Sequence, residues 1–175
     1  MNKLGETGRA WLKGLHILCT ATWVGTAVCT TFLYLAYRPD AGPEAHTLLT
    51  TIKSIDDGVL VPSAVSSLLS GLLLVGLSPG GLFSRPWVIT KLIGTLVVML
   101  SGILFFSPRM NAMVEIVTAD PQRAAENPTF LSNHQFISIA IGPQVLVVLC
   151  LALISALPWK WGIPPSATSS SSQRK

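Results

Sequence analysis

Charge is scarce in this 175-residue chain. Only 11% of its residues are Asp, Glu, Lys or Arg, against about 25% in ordinary soluble domains. The net charge of +4 is not gathered into a basic run with interleaved aromatics, so nucleic acid is not an expected partner. Cysteine is scarce too. Cys19, Cys29 and Cys150 are odd in number, form no C-x-x-C pair and all lie in apolar blocks. That pattern argues against a disulfide framework or a zinc knuckle and predicts three inert, buried thiols. No carboxylate pair, nucleophile–base arrangement or phosphate-cradling glycine loop is present, and "SPGGLF" reads as a short turn.

What the chain has in quantity is apolar sequence, half of all residues, in long blocks. A bilayer core of about 30 Å needs about 20 apolar residues in a helix. Four stretches meet that length: 14–37, 59–77, 87–106 and 136–157. The first is too long for a signal peptide and lacks a clear small-x-small cleavage site. The expected fold class is therefore all-α, a transmembrane four-helix bundle formed by one domain over residues 1–163 and surrounded by lipid. The low-complexity tail 164–175 is expected to be disordered.

Lys and Arg in the flanks set the expected orientation. The side carrying both termini has Lys3, Arg9, Lys13, Arg85, Lys160, Arg174 and Lys175. The other has Arg38, Lys53, Arg109 and Arg123. The termini are thus expected in the cytoplasm, with the protein in a bacterial inner membrane. Both outer loops carry helical apolar stripes: Leu48, Leu49, Ile52 and Ile55 in one, and Met110, Met113, Val114 and Val117 in the other. Each predicts a short amphipathic helix that either lies at the outer interface or caps the bundle.

Small residues predict how the spans pack. Ser63, Ser67 and Gly71 recur at four-residue spacing in the second span, Thr22, Thr26 and Thr30 in the first, and Gly94 and Gly102 lie two such steps apart in the third. Lipid tails are as apolar as leucine, so spans associate through such close-packing faces. Pro62 is expected in the first turn of its span, where a missing donor costs little. Pro143 lies about two turns into the fourth span and predicts a kink.

Two ionisable residues interrupt the apolar runs. His16 sits one turn beyond Lys13 at the cytoplasmic end of the first span, and Lys91 one turn beyond Trp87 in the third. By rise per residue both lie roughly 5–8 Å inside the same membrane edge. An ionisable side chain at that depth either finds a partner, snorkels, or serves a function. A helix–helix hydrogen bond for His16, to Thr20 or a neighbouring carbonyl, and snorkelling for Lys91 are the structural readings. The functional reading is a site that holds an anionic or metalloporphyrin ligand, with His16 as axial ligand or base and Lys91 as anion partner. Trp23, Trp87 and Thr95 are candidate walls; Trp87 also suits an interfacial anchor. His134 cannot share one iron with His16, because the two lie on opposite sides of the bilayer, on the order of 25 Å apart against about 4 Å for axial ligands. On the outer side, His46, His134, Met110 and Met113 are ligand types that suit copper, although their spacing forms no recognised metal motif.

"GLHILCTATWVGTAV", with H-x6-W-x-G spacing, and "GLFSRPWVITKLIGTL", with W-x3-K spacing, resemble the first and third helices of an uncharacterised bacterial four-helix integral membrane family. The turn "SPGGLFSRP" and "PWKWGIPP" also resemble that family. The pattern, over about residues 11–160, is similar in turn to the HemJ-type protoporphyrinogen oxidases and more loosely to the copper-resistance protein CopD. The resemblance implies that His16 and Lys91 are the functional residues, His16 a metal ligand, haem b the cofactor and a membrane oxidoreductase the activity. Two alternatives stand beside it: a non-enzymatic membrane assembly module, also open to homo-oligomerisation, and a copper-handling membrane protein.

Overall fold

A computed structural model describes residues 5–36, 42–77 and 86–156. Most of the turn "SPGGLFSRP", all of "PWKWGIPP" and the tail 164–175 lie outside them. The described residues are almost entirely helical: α1 Glu6–Ala36, α2 Pro43–Ile55, α3 Val61–Gly76, α4 Pro86–Ser101, α5 Ser107–Ala119 and α6 Pro128–Ala156. Four continuous helices are long and apolar enough to cross a membrane: Glu6–Ala36, Pro43–Gly76, Val88–Ala119 and Pro128–Ile154. The all-α four-helix transmembrane bundle is therefore the architecture, and its apolar outer faces contact lipid.

The outer-loop helices are not separate pieces lying at the interface. α2 runs into α3, and α4 into α5, through single π-helical turns at Asp56–Leu60 and Gly102–Phe106. Each turn is closed by a bond from residue i to i−5: the Val61 N–H donates to the Asp56 carbonyl, and the Ser107 N–H to the Gly102 carbonyl. A proline follows at once in both cases, Pro62 and Pro108. Proline lacks a donor and crowds the carbonyl four residues back. Widening the preceding turn relieves that crowding without ending the helix. Pro62 thus lies inside a 34-residue helix rather than at the start of one. At 1.5 Å per residue this helix is about 51 Å long, well beyond a bilayer core of about 30 Å. Its excess length, α2, projects past the membrane beside α5, on the side away from the termini. α6 likewise runs unbroken through Pro143.

The projecting helices form a cap with its own core. Tyr34, Leu49, Ile52, Met110, Met113, Val117, Phe130 and Ile137 are buried together. Both apolar stripes are used here, so they cover the bundle end. Polar contacts close the cap: the Gly42 N–H donates to the Pro121 carbonyl at 2.6 Å, in a backbone with φ of 89° that glycine tolerates. Asn127 Oδ1 caps α6 by accepting from the Thr129 and Phe130 N–H groups. Arg109 lies 4.0 Å over the Phe136 ring.

A second core, Trp23, Ala64, Val98, Val148 and Leu151, fills the middle of the bundle. α1 packs along α3 and α4 against α6, whereas α3 and α4 barely touch. The cysteines fall outside these cores: Cys29 and Cys150 are exposed and Cys19 is half-buried, so two of the three thiols face outward, contrary to their expected burial.

Gly94 shows how close the α4–α6 contact is. A Cβ there would stand 2.7 Å from Leu151 Cδ2. Gly94→Ala is expected to cost about 1–3 kcal/mol, read as a lower midpoint of denaturation in mixed detergent micelles. Gly25→Ala is the control, because a Cβ at Gly25 meets nothing within 4 Å; its midpoint should not fall.

Candidate functional site

His16 points into the α1–α3 seam. Its Nδ1 lies 3.0 Å from the Ser67 carbonyl oxygen and 3.0 Å from Ser70 Oγ. A carbonyl only accepts, so Nδ1 must carry a hydrogen. The Ser70 hydroxyl supports the same assignment: it donates to the Ser66 carbonyl at 2.7 Å, which leaves its oxygen to accept from Nδ1–H. In the neutral ring the lone pair is therefore on Nε2, which has no hydrogen-bond partner among the described residues. Around the ring the chain of donors continues. Ser67 Oγ donates to Thr20 Oγ1 at 2.7 Å, and Thr20 Oγ1 donates to the His16 carbonyl at 2.8 Å.

The ring has room because of Gly71. A Cβ at that position would come within 3.1 Å of His16 Cε1. Two members of the small-residue stripe of the second span, Ser67 and Gly71, thus form the receptacle for the imidazole, with Ser70 beside them. These partners were readable in the sequence as a packing stripe but not as a site. Counting back from Leu77 places Ser70 and Gly71 within two turns of the helix end, close to the depth of His16.

Lys91, on α4, is half-buried and close enough for its charge to act on His16, but no hydrogen bond joins the two. It makes no ion pair or hydrogen bond to any described residue. Thr95 is buried one turn further along α4. Trp23 does not wall the His16 layer. It is seven residues, or about 10 Å of rise, further along α1, and belongs to the mid-bundle core. The Trp87 side chain lies outside the described residues. The structure thus brings His16 together with α3 and into electrostatic reach of Lys91, and separates Trp23 from both.

Of the outer-side candidates, Met110 and Met113 lie in the cap core and His134 packs against it. Met113 is fully buried and Met110 nearly so, both in the apolar cap core. The His134 ring stacks on Phe130 at 6.1 Å and tilts against Tyr34 at 5.5 Å. Tyr34 is eighteen residues from His16 along α1, or about 27 Å of rise. This keeps His134 away from the His16 layer. Among the described residues, no three His, Cys, Asp or Glu side chains come together to hold a metal ion.

No curated protein and no solved structure matches the chain. One family model does, over residues 10–158, which takes in all four spans and both residues of the His16–Lys91 layer. The chain belongs to the family of predicted integral membrane proteins designated DUF2269.

Proposed function

We propose that this membrane protein binds haem or a related porphyrin at the His16–Lys91 layer, with that layer and both termini on the cytoplasmic side of a bacterial inner membrane. The excess of Lys and Arg on the terminal flanks supports the orientation. The observation that carries the binding reading is the donation from Nδ1 to the Ser67 carbonyl. Metal-ligating histidines characteristically donate their second ring N–H to a carbonyl or carboxylate, which fixes the ring and leaves the other nitrogen as ligand. Lys91, on α4, adds an ammonium that meets no carboxylate among the described residues and is suited to a propionate. The donor set fits one axial bond and one carboxylate. When bound, the iron would supply one-electron redox chemistry, which suits a membrane oxidoreductase acting on a tetrapyrrole or quinone-like substrate. The residues themselves bind, orient and neutralise charge.

The test is a visible spectrum of protein purified in mild detergent from haem-replete cells. A Soret band is expected, lost in His16→Ala and weakened in Lys91→Met, with folding checked by circular dichroism. Wild-type protein that is folded and shows no Soret band overturns the reading. A second reading, a non-enzymatic assembly module in which His16 only ties α1 to α3, draws on the same Ser67 and Ser70 bonds. It predicts that a pairing-competent His16→Gln protein keeps full stability and phenotype.

A further inference from the structure

A cavity of about 360 Å³ lies on the cap side of Trp23, within the bundle. That volume is in the range of small-molecule pockets. Its lining divides by depth. Toward the middle of the bundle it is apolar: Trp23 and Ala27 on α1, Ala64 and Val65 on α3, Val98 on α4 and Val148 on α6. The cap-side end carries charge, Lys53, Asp56 and Asp57, at the junction of α2 with α3. These residues come just before the apolar stretch that begins at Val59. They therefore stand near the level where the bilayer core gives way to headgroups and water.

The three charges do not cancel. Lys53 pairs with Asp57, which is largely exposed. Asp56 is half-buried, and its carboxylate forms no hydrogen bond or ion pair with any described residue. No other charged side chain lines the cavity among the described residues. One cation thus faces two carboxylates, and the mouth is left with one negative charge. A half-buried carboxylate is partly stripped of water, so a cation that meets it there is held more strongly than at an open surface. An anionic head would have to displace Asp57 from Lys53 and then face Asp56. A neutral head would leave the charge of Asp56 unmatched.

The opening says where such a cation comes from. α3 and α4 scarcely touch, and the lining residues Val61 and Val65 on α3 and Ile103 on α4 are exposed. Both π-helical turns, Asp56–Leu60 and Gly102–Phe106, contribute to the lining. Below the charged mouth, the cleft between α3 and α4 is apolar and faces lipid tails. A molecule lying in the cap-side leaflet, its head at the surface and its body among the tails, meets charge and apolar lining at matching heights.

We propose that this cavity is a binding site for a membrane-dissolved amphiphilic amine, whose apolar body enters between α3 and α4 and whose ammonium pairs with Asp56. The site lies on the far side of Trp23 from His16 and is independent of the reading given for the His16–Lys91 layer.

Three probes with one body test it: 1-naphthylmethylamine, a cation at pH 7, 1-naphthylmethanol, its neutral counterpart, and 1-naphthylacetate, an anion. Thermal denaturation of the full chain, purified in an uncharged maltoside detergent, is followed against probe concentration. The amine should raise the melting temperature saturably. The alcohol should be about tenfold weaker, as the loss of a charge-assisted hydrogen bond implies, and the acetate should have no effect. In Asp56→Asn, which keeps the shape and removes the charge, the amine should act within about twofold of the alcohol. Ala27→Leu, and independently Ala64→Leu, should fill the cavity and abolish the response to the amine, with folding checked by circular dichroism. No saturable response to the amine, an alcohol or acetate as effective as the amine in wild type, an amine preference that persists in Asp56→Asn, or a response that survives both filling variants would each overturn the proposal.

Discussion

Replacing Gly71 with valine is expected to unseat His16 and loosen α1 from α3. A Cβ alone would stand 3.1 Å from the imidazole Cε1, and the valine methyls would extend further into the ring's space. The half-buried ring can move aside only by leaving its partners on α3. Its Nδ1 is held by the Ser67 carbonyl and Ser70 Oγ, so moving aside breaks contacts worth about 1 kcal/mol each. Overpacking adds about 1–3 kcal/mol. The combined loss should be about 3–5 kcal/mol, read from denaturation midpoints in mixed micelles. The double variant Gly71→Val with His16→Ala removes the ring that the valine meets. It should recover the overpacking part, about 1–3 kcal/mol, since the hydrogen bonds of the ring are lost either way; a double-mutant cycle measures this coupling directly. If Gly71→Val is as stable as wild type, or if the double variant is no better than the single, the receptacle described for His16 is wrong.

How much of this was legible beforehand differs between the bundle and the site. Four spans follow from block length and scarce charge, because only a helix satisfies its own backbone in lipid. The depth shared by His16 and Lys91 follows from counting residues. A bond from His16 to a neighbouring carbonyl is among its expected readings, but which carbonyl did not follow. The neighbour was a backbone carbonyl, and a carbonyl belongs to every residue and carries no sequence signal. Gly71 was visible, but small-residue spacing reads the same whether the notch receives a leucine or an imidazole. Trp23 was assigned to the His16 layer by helical face, yet face says nothing of height. Two turns of rise put it in the mid-bundle core instead.

The π-helical turns were hidden for a different reason. Pro62 reads as a place where a helix begins, since proline is tolerated in a first turn. A proline can also sit inside a helix when the turn before it widens to i→i−5 bonding, as at Asp56–Leu60 and Gly102–Phe106. That choice is made by tertiary packing: α2 and α5 must stay in line with α3 and α4 for their apolar stripes to meet in the cap.

The cap leads to the second large effect. Met113→Ala is expected to cost about 2–5 kcal/mol, the range for truncating a large buried side chain. Met113 has no exposed surface and sits against Val117, Ile137 and the other cap residues, where neither lipid nor water fills the space left behind. The helices that carry the cap outrun the bilayer, so this core is stabilised by the hydrophobic effect as well as by packing. Met113→Leu conserves volume and should cost less than about 1.5 kcal/mol. The pair of variants separates a packing role from a metal-binding one. If Met113 is a core residue, Met113→Leu keeps both stability and whatever metal the purified protein carries. If it is a thioether ligand, Met113→Leu loses copper, measured by elemental analysis, while remaining folded. The burial of Met113 in an apolar core predicts the first result, and copper lost in the leucine variant would overturn it.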